Sequence, residues 1–208
     1  MNKKVFTMIL VVLLAMTCVF ASRGETKVSL NLGVGSDNVA YDSDKPNEKL
    51  NGIVIGGNAT VAVQYGLSSD DYLKAEIGFN TYSDGAIYLN GEVYQNYVIT
   101  DRNPNCVFYF GYVYNMALGN SGLFEWETSV GLQGAAGSCF KGNDFNLSLG
   151  LGFEETFLFN ISKSLSVNLT TRAGIQFINT NSEFAKWLSD CNSLSIPVFM
   201  TAGVTYSL

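Results

Sequence analysis

The chain has 208 residues, a size ordinary for one domain, and a formal net charge of −6 with no histidine. Only 14% of residues are charged, against the usual quarter, while 13% are aromatic and 21 are glycine. The acidic balance disfavours nucleic acid as a partner, because phosphate recognition needs a basic face. The missing imidazole removes the side chain that usually moves protons near neutral pH.

The first segment reads as a secretory signal peptide over residues 1–21. Asn2, Lys3 and Lys4 open it, Val5 to Thr17 is apolar, and Val19-Phe20-Ala21 offers small residues at the cleavage spacing. A second reading makes Cys18 a lipid-modified N-terminus, but Ala15-Met16-Thr17 fits a lipoprotein cleavage box poorly. Removal of the leader takes Lys3 and Lys4 away and shifts the net charge from −6 to −8. No later segment approaches the roughly 20 apolar residues of a membrane helix.

Residues 22–208 form one domain in which strict alternation recurs, the period-two signature of strands with two unlike faces. Residues 27–34 place Val28, Leu30, Leu32 and Val34 together. Residues 53–65 group Ile53, Ile55, Ala59, Val61, Val63 and Tyr65. Residues 72–81 set Leu73, Ala75, Ile77 and Phe79 against Lys74, Glu76 and Asn80. Residues 105–116 are apolar on both faces, so their orientation stays open. Residues 123–133 set Phe124, Trp126, Val130 and Leu132 against Glu125, Glu127, Ser129 and Gln133. Residues 144–158 set Leu147, Leu149, Leu151 and Phe153 against Ser148, Gly150, Gly152 and Glu154, with Glu155 an exception on the apolar face. Residues 165–178 set Leu165, Val167, Leu169, Ala173 and Ile175 against Ser166, Asn168, Thr170, Arg172 and Gln176. Residues 196–208 close the series.

About eight strands result. Brief polar turns near 66–71, 117–122 and 160–164 alternate with long links near 36–52, 83–103 and 179–195, and the link near 135–142 is intermediate. This rhythm predicts an all-β fold, an antiparallel up-and-down transmembrane β-barrel with short periplasmic turns and long outer loops. Within the second long link, "AIYLNGEVYQNY" carries an Asn-Gly hairpin signal. It reads as a hairpin rising from the loop, with ten strands as the alternative. In the last long link, Ser182 could cap a short helix.

Aromatic residues gather at the short turns: Tyr65 and Tyr72, then Tyr114, Phe124 and Trp126, then Phe157 and Phe159, with Tyr206 near the end. They predict a girdle at headgroup level. The polar face is mainly small uncharged residues, unlike a water-facing surface. The apolar face is therefore expected to meet lipid. A soluble periplasmic ligand-binding barrel would hide that face instead.

The stretch "TAGVTYSL" resembles the C-terminal signature of bacterial outer-membrane barrels, through Thr201, Gly203, Tyr206 and Leu208. The usual last residue is Phe or Trp, so Leu208 departs from the pattern while staying apolar. The layout is similar to the small barrels of outer membrane proteins A, X and W. The resemblance implies an outer-membrane location, outer-membrane lipids as surroundings, and recognition of the end motif by the barrel-assembly machinery. The enzymes of such barrels use a histidine, so an enzyme is not expected here.

The polar-face charges Lys74, Glu76, Glu125, Glu127, Glu154 and Arg172 are the candidate site. They predict either a salt-bridged plug or the constriction of a narrow pore for small or apolar solutes. Cys106, Cys139 and Cys191 fall near the long-loop rim. Cys139 with Cys191 is a possible disulfide, with Cys106 a competing partner and three reduced thiols the plain alternative. "DSDKPNE", Asp42 to Glu48, lacks the glycine and spacing of an EF-hand. No metal or cofactor is expected. The expected role is structural support of the outer membrane, or loops that meet extracellular ligands or host molecules.

Overall fold

The computed structural model describes residues 25–41, 50–98, 105–137, 146–179 and 194–208. The leader, the Asp42–Glu48 segment, the Ser182 cap, Cys139 and Cys191 lie outside the described residues. Among the described residues there are nine strands: β1 (Thr26–Tyr41), β2 (Leu50–Gly66), β3 (Asp71–Leu89), β4 (Glu92–Val98), β5 (Asn105–Leu118), β6 (Phe124–Gly137), β7 (Asn146–Asn160), β8 (Leu165–Asn179) and β9 (Leu194–Ser207).

All neighbours pair antiparallel. The order β2-β1-β9-β8-β7-β6-β5-β3 closes on itself because β2 also pairs with β3. Eight strands thus form a barrel. The closure matters because an open sheet edge would leave backbone groups without partners in hydrocarbon. The ten-strand alternative is not adopted. β4 has 7 residues and, among the described residues, pairs only with the upper part of β3, from Asp84 to Leu89. Asn90 and Gly91 turn that hairpin with φ of 53° and 89°, the left-handed pair that an Asn-Gly type I′ turn requires.

The eight barrel strands run 14 to 19 residues, beyond the 9–11 that cross hydrocarbon. The sequence shows only their membrane-level portions. Towards the long-loop side the outward face need not be apolar, so alternation fades at Gly35–Tyr41 while pairing continues to Tyr41 opposite Leu50. A bulge at Ile55/Gly56 shifts the β2–β3 register there.

Faces sort as the alternation demands. Leu30, Leu32, Val130, Leu151, Leu169 and Val204 are exposed on the outside, and Asn31, Ser129, Glu154, Asn168 and Thr205 are buried inside. The apolar face is therefore the outer one. β5 resolves the strand that the sequence left open. Cys106, Phe108, Phe110, Tyr112 and Tyr114 alternate with the buried Val107, Tyr109, Gly111 and Val113. Phe124, Trp126, Phe157 and Phe159 form one outward aromatic patch, with ring centroids 5.3 to 6.4 Å apart. Tyr72 corrects the expected girdle. It shares the parity of Lys74 and points inward, 1% exposed, because its ring is needed beneath a buried ammonium.

The seam between β1 and β9 is continuous from Lys27 opposite Ser207 to Ala40 opposite Leu194. The Leu208 amide donates to the Thr26 carbonyl at 2.8 Å, and the Ser207 amide to the Ser164 carbonyl at 2.9 Å. Thr201 is buried in the lumen, while Tyr206 and Leu208 face outward. Gly203 lies inward against Asn31 and the Leu30 carbonyl, where a β-carbon would clash. Deleting Tyr206–Leu208 is expected to abolish heat-modifiable gel migration, whereas Leu208→Phe retains it. A truncated chain that still migrates faster unheated than boiled would contradict this role of the seam.

Candidate functional site

An eight-stranded barrel is just wide enough for its own side chains to fill. What enters the lumen here is charged, and charges removed from water must be paired. The six residues singled out in the sequence all face the lumen, in two layers, and the structure adds Lys27 and Tyr109.

The layer nearer the short turns is built on Lys27. Its ammonium lies 3.0 Å from Glu127 and 3.4 Å from Glu125, and 4.5 Å above the centre of the Tyr72 ring. Gln64 donates to the second Glu127 oxygen at 2.9 Å. Glu125 also accepts from the amides of Asn115 and Asn160, each at 2.7 Å. The cation is thus enclosed by carboxylates and an aromatic face.

The deeper layer alternates sign around Arg172. Its guanidinium lies 2.7 Å from Glu76 and donates to Glu154 through Nε at 2.8 Å, and again through a second nitrogen. Lys74 bonds Glu154 and lies 3.3 Å from Glu76. Two cations and two carboxylates close a ring from β3, β7 and β8, with every side chain buried. Tyr109 stands against it. The Arg172 guanidinium is 4.4 Å and the Lys74 ammonium 5.8 Å from the ring centre, and the hydroxyl meets Ser129 Oγ at 2.6 Å.

Room for this ring comes from a glycine row. Lys74 is opposite Gly111, and Gly111, Gly131, Gly152 and Gly174 are paired in turn across β5 to β8. A β-carbon on Gly152 would meet Gln133 and Tyr109, and one on Gly174 would meet Gln133 and the Leu151 carbonyl. The bare wall takes the Tyr109 ring and Gln133, which is 2% exposed. Parity placed Gly152 and Gly174 on the polar face in the sequence, whereas Gly111 and Gly131 had no such reading. Tyr109 had none either, because β5 is apolar on both faces. Lys27 was missed because it begins the first strand, where only the apolar parity was informative.

Little space is left. A vestibule of about 360 Å³ opens between the short turns, lined among others by Glu25, Lys27, Glu125, Asn160 and Lys163. It ends on the Lys27 layer. Above it are small voids of about 10 Å³, one beside Glu76, Thr170 and Arg172 and another beside Asp37, Asn80, Gln133 and Arg172. Each is no larger than a single water. Phe199 adjoins both and is itself inward. Cys106 is half-buried on the outer face of β5 and forms no disulfide with another described residue.

No protein-family model matches the chain, and no similar curated protein was found. Among solved structures it is similar to the outer membrane protein OprG from Pseudomonas aeruginosa. Identity is 11% over 89% of this chain and 96% of that one, with a TM-score of 0.56. It is also similar to Neisserial surface protein A, at 12% identity over 88% and 99% of the chains and a TM-score of 0.52. The shared feature is the fold: this is a small eight-stranded barrel of the outer-membrane type.

The ring predicts an asymmetric stability map. Arg172→Ala leaves Glu76 and Glu154 buried with Lys74 alone and is expected to cost about 3 kcal/mol in urea unfolding. Gly152→Val crowds Tyr109 and Gln133 and is expected to cost about 1–3 kcal/mol. Lys163→Ala, on an exposed turn, stays within about 0.5 kcal/mol of wild type. Equal effects at the three positions would contradict the ring.

Proposed function

We propose that this chain is an integral outer-membrane barrel, closed to solutes, that acts through its outside. It supports the membrane and holds its long loops at the cell surface. The observation that carries this reading is the lumen. Two salt-bridged layers cross it, and the two voids described beside the deeper layer are single-water in size. An ion moving through would have to displace buried ion pairs, which costs several kcal/mol.

Two further observations support the location. The outer face is a band of exposed Leu, Val, Ile and Phe that water would disfavour. Its similar structures are, by name, outer-membrane and surface proteins of bacteria. A soluble periplasmic barrel would put the opposite face outside. A non-enzymatic role fits a sequence without histidine. The vestibule offers Glu125, but that carboxylate is already held by Lys27, Asn115 and Asn160 and is poorly placed to act as a base.

Planar-bilayer recording tests the closed lumen. Wild type is expected to give no discrete conductance steps. The double variant Tyr109→Ala/Arg172→Ala removes the largest groups of the deeper layer and is expected to give small ones. Robust steps from wild type that vanish when a bulky side chain is added in the lumen would establish the narrow pore instead.

A further inference from the structure

The outer faces of β6, β7 and β8 are apolar at every membrane-level position but one row. Phe124, Trp126, Val130 and Leu132 alternate on β6, Phe153, Leu151 and Leu149 on β7, and Leu165, Val167, Leu169 and Ile175 on β8. Across them runs Thr128 opposite Glu155 opposite Thr171. Three polar residues in direct cross-strand register, with a carboxylate at the centre, interrupt a surface that is otherwise hydrocarbon-like.

The carboxylate is partly provided for. Trp126 Nε1 and Thr128 Oγ1, the latter at 2.9 Å, both donate to the same oxygen, Oε2. Oε1 accepts nothing from the described residues, and Glu155 joins no ion pair among them. On one side stand Trp126 and its edge-on neighbour Phe157, 6.4 Å between centres. On the other, Thr171 and Ala173 are small and exposed, so the approach to Glu155 is open there. The site is thus a carboxyl group held in place by two donors, with one unused oxygen, walled by aromatic rings and open towards lipid.

Its height identifies what can reach it. Glu155 precedes the end of β7 by five residues, which at a tilted rise of about 2.5 Å per residue puts it about 12 Å from the short-turn rim. Phe157 and Phe159 lie between it and that rim, and aromatic rings favour headgroup level. A carboxylate there is costly unless a cation meets it. An ammonium can bond Oε1 and lie against the rings of Trp126 and Phe157.

We infer that Glu155, with Trp126, Thr128 and Thr171, binds the primary ammonium headgroup of an aminophospholipid in the leaflet on the short-turn side. The inference rests on the membrane-barrel reading above, and concerns the wall rather than the lumen. No covalent step is involved. The lipid would be held as part of the native surroundings of β6 to β8.

Native mass spectrometry from mixed micelles tests it with three probes: phosphatidylethanolamine, its N-acetyl derivative and phosphatidylglycerol. Wild type is expected to retain the first about tenfold over the other two. Glu155→Gln should retain all three alike while keeping heat-modifiable migration. Equal retention by wild type, or an unchanged preference in Glu155→Gln, would overturn the site. So would loss of a wild-type dimer, rather than a lipid adduct, in that variant. A wild-type chain that stays soluble without detergent and shows no heat shift would overturn the barrel reading itself.

Discussion

The pairing of Arg172 with Glu76 and Glu154 is the interaction on which the interior depends. Eight strands enclose a space too narrow for bulk water, and charged side chains project into it. Once charges occupy it, each must be met by an opposite charge at hydrogen-bond distance, or the burial cost exceeds what folding supplies. Arg172 meets two carboxylates from two other strands, and Lys74 meets the same two. The ring therefore ties β3, β7 and β8 across the lumen. Wall hydrogen bonds join only neighbouring strands, so this cross-brace is a separate source of rigidity. Tyr109 and the glycine row are its consequences, since a ring lying on two cations needs a wall without side chains behind it.

Much of the fold was legible because lipid imposes the same rule on each strand. Wherever the wall meets hydrocarbon, period-two alternation must hold, and β2, β6, β7 and β8 were readable on that basis. The rule lapses in three places, and those are where reading stopped. Above the membrane, Gly35–Tyr41 pairs without alternating. On β5, Val107, Tyr109 and Val113 fill the lumen with apolar or aromatic groups, so both faces look alike. At Tyr72 the ring belongs to the lumen because Lys27 needs it, although its position beside a turn resembled a girdle residue.

The candidate site was legible as a set and not as a circuit. Parity alone sends Lys74, Glu76, Glu125, Glu127, Glu154 and Arg172 inward. Which carboxylate meets which cation depends on the stagger between strands far apart in sequence, as with Lys27 and Glu127 or Arg172 and Glu76. No single strand carries that information. Glu155 shows the reverse case. It looked like an error of alternation, and its meaning rests on Trp126 and Thr128 of the adjacent strand.

The account's central claim is that one face of each strand meets lipid while the other packs a closed interior. A nitroxide scan along β7, in a chain whose native cysteines are replaced by serine, tests both halves at once in a bilayer. Collision with oxygen and with a water-soluble nickel complex is read at each position. Leu149, Leu151 and Phe153 are predicted to show high oxygen and low nickel accessibility. Ser148 and Thr156, which are buried in the lumen, are predicted to be low for both. Nickel access at the first set would contradict the lipid-facing wall, and nickel access at the second would contradict the closed lumen.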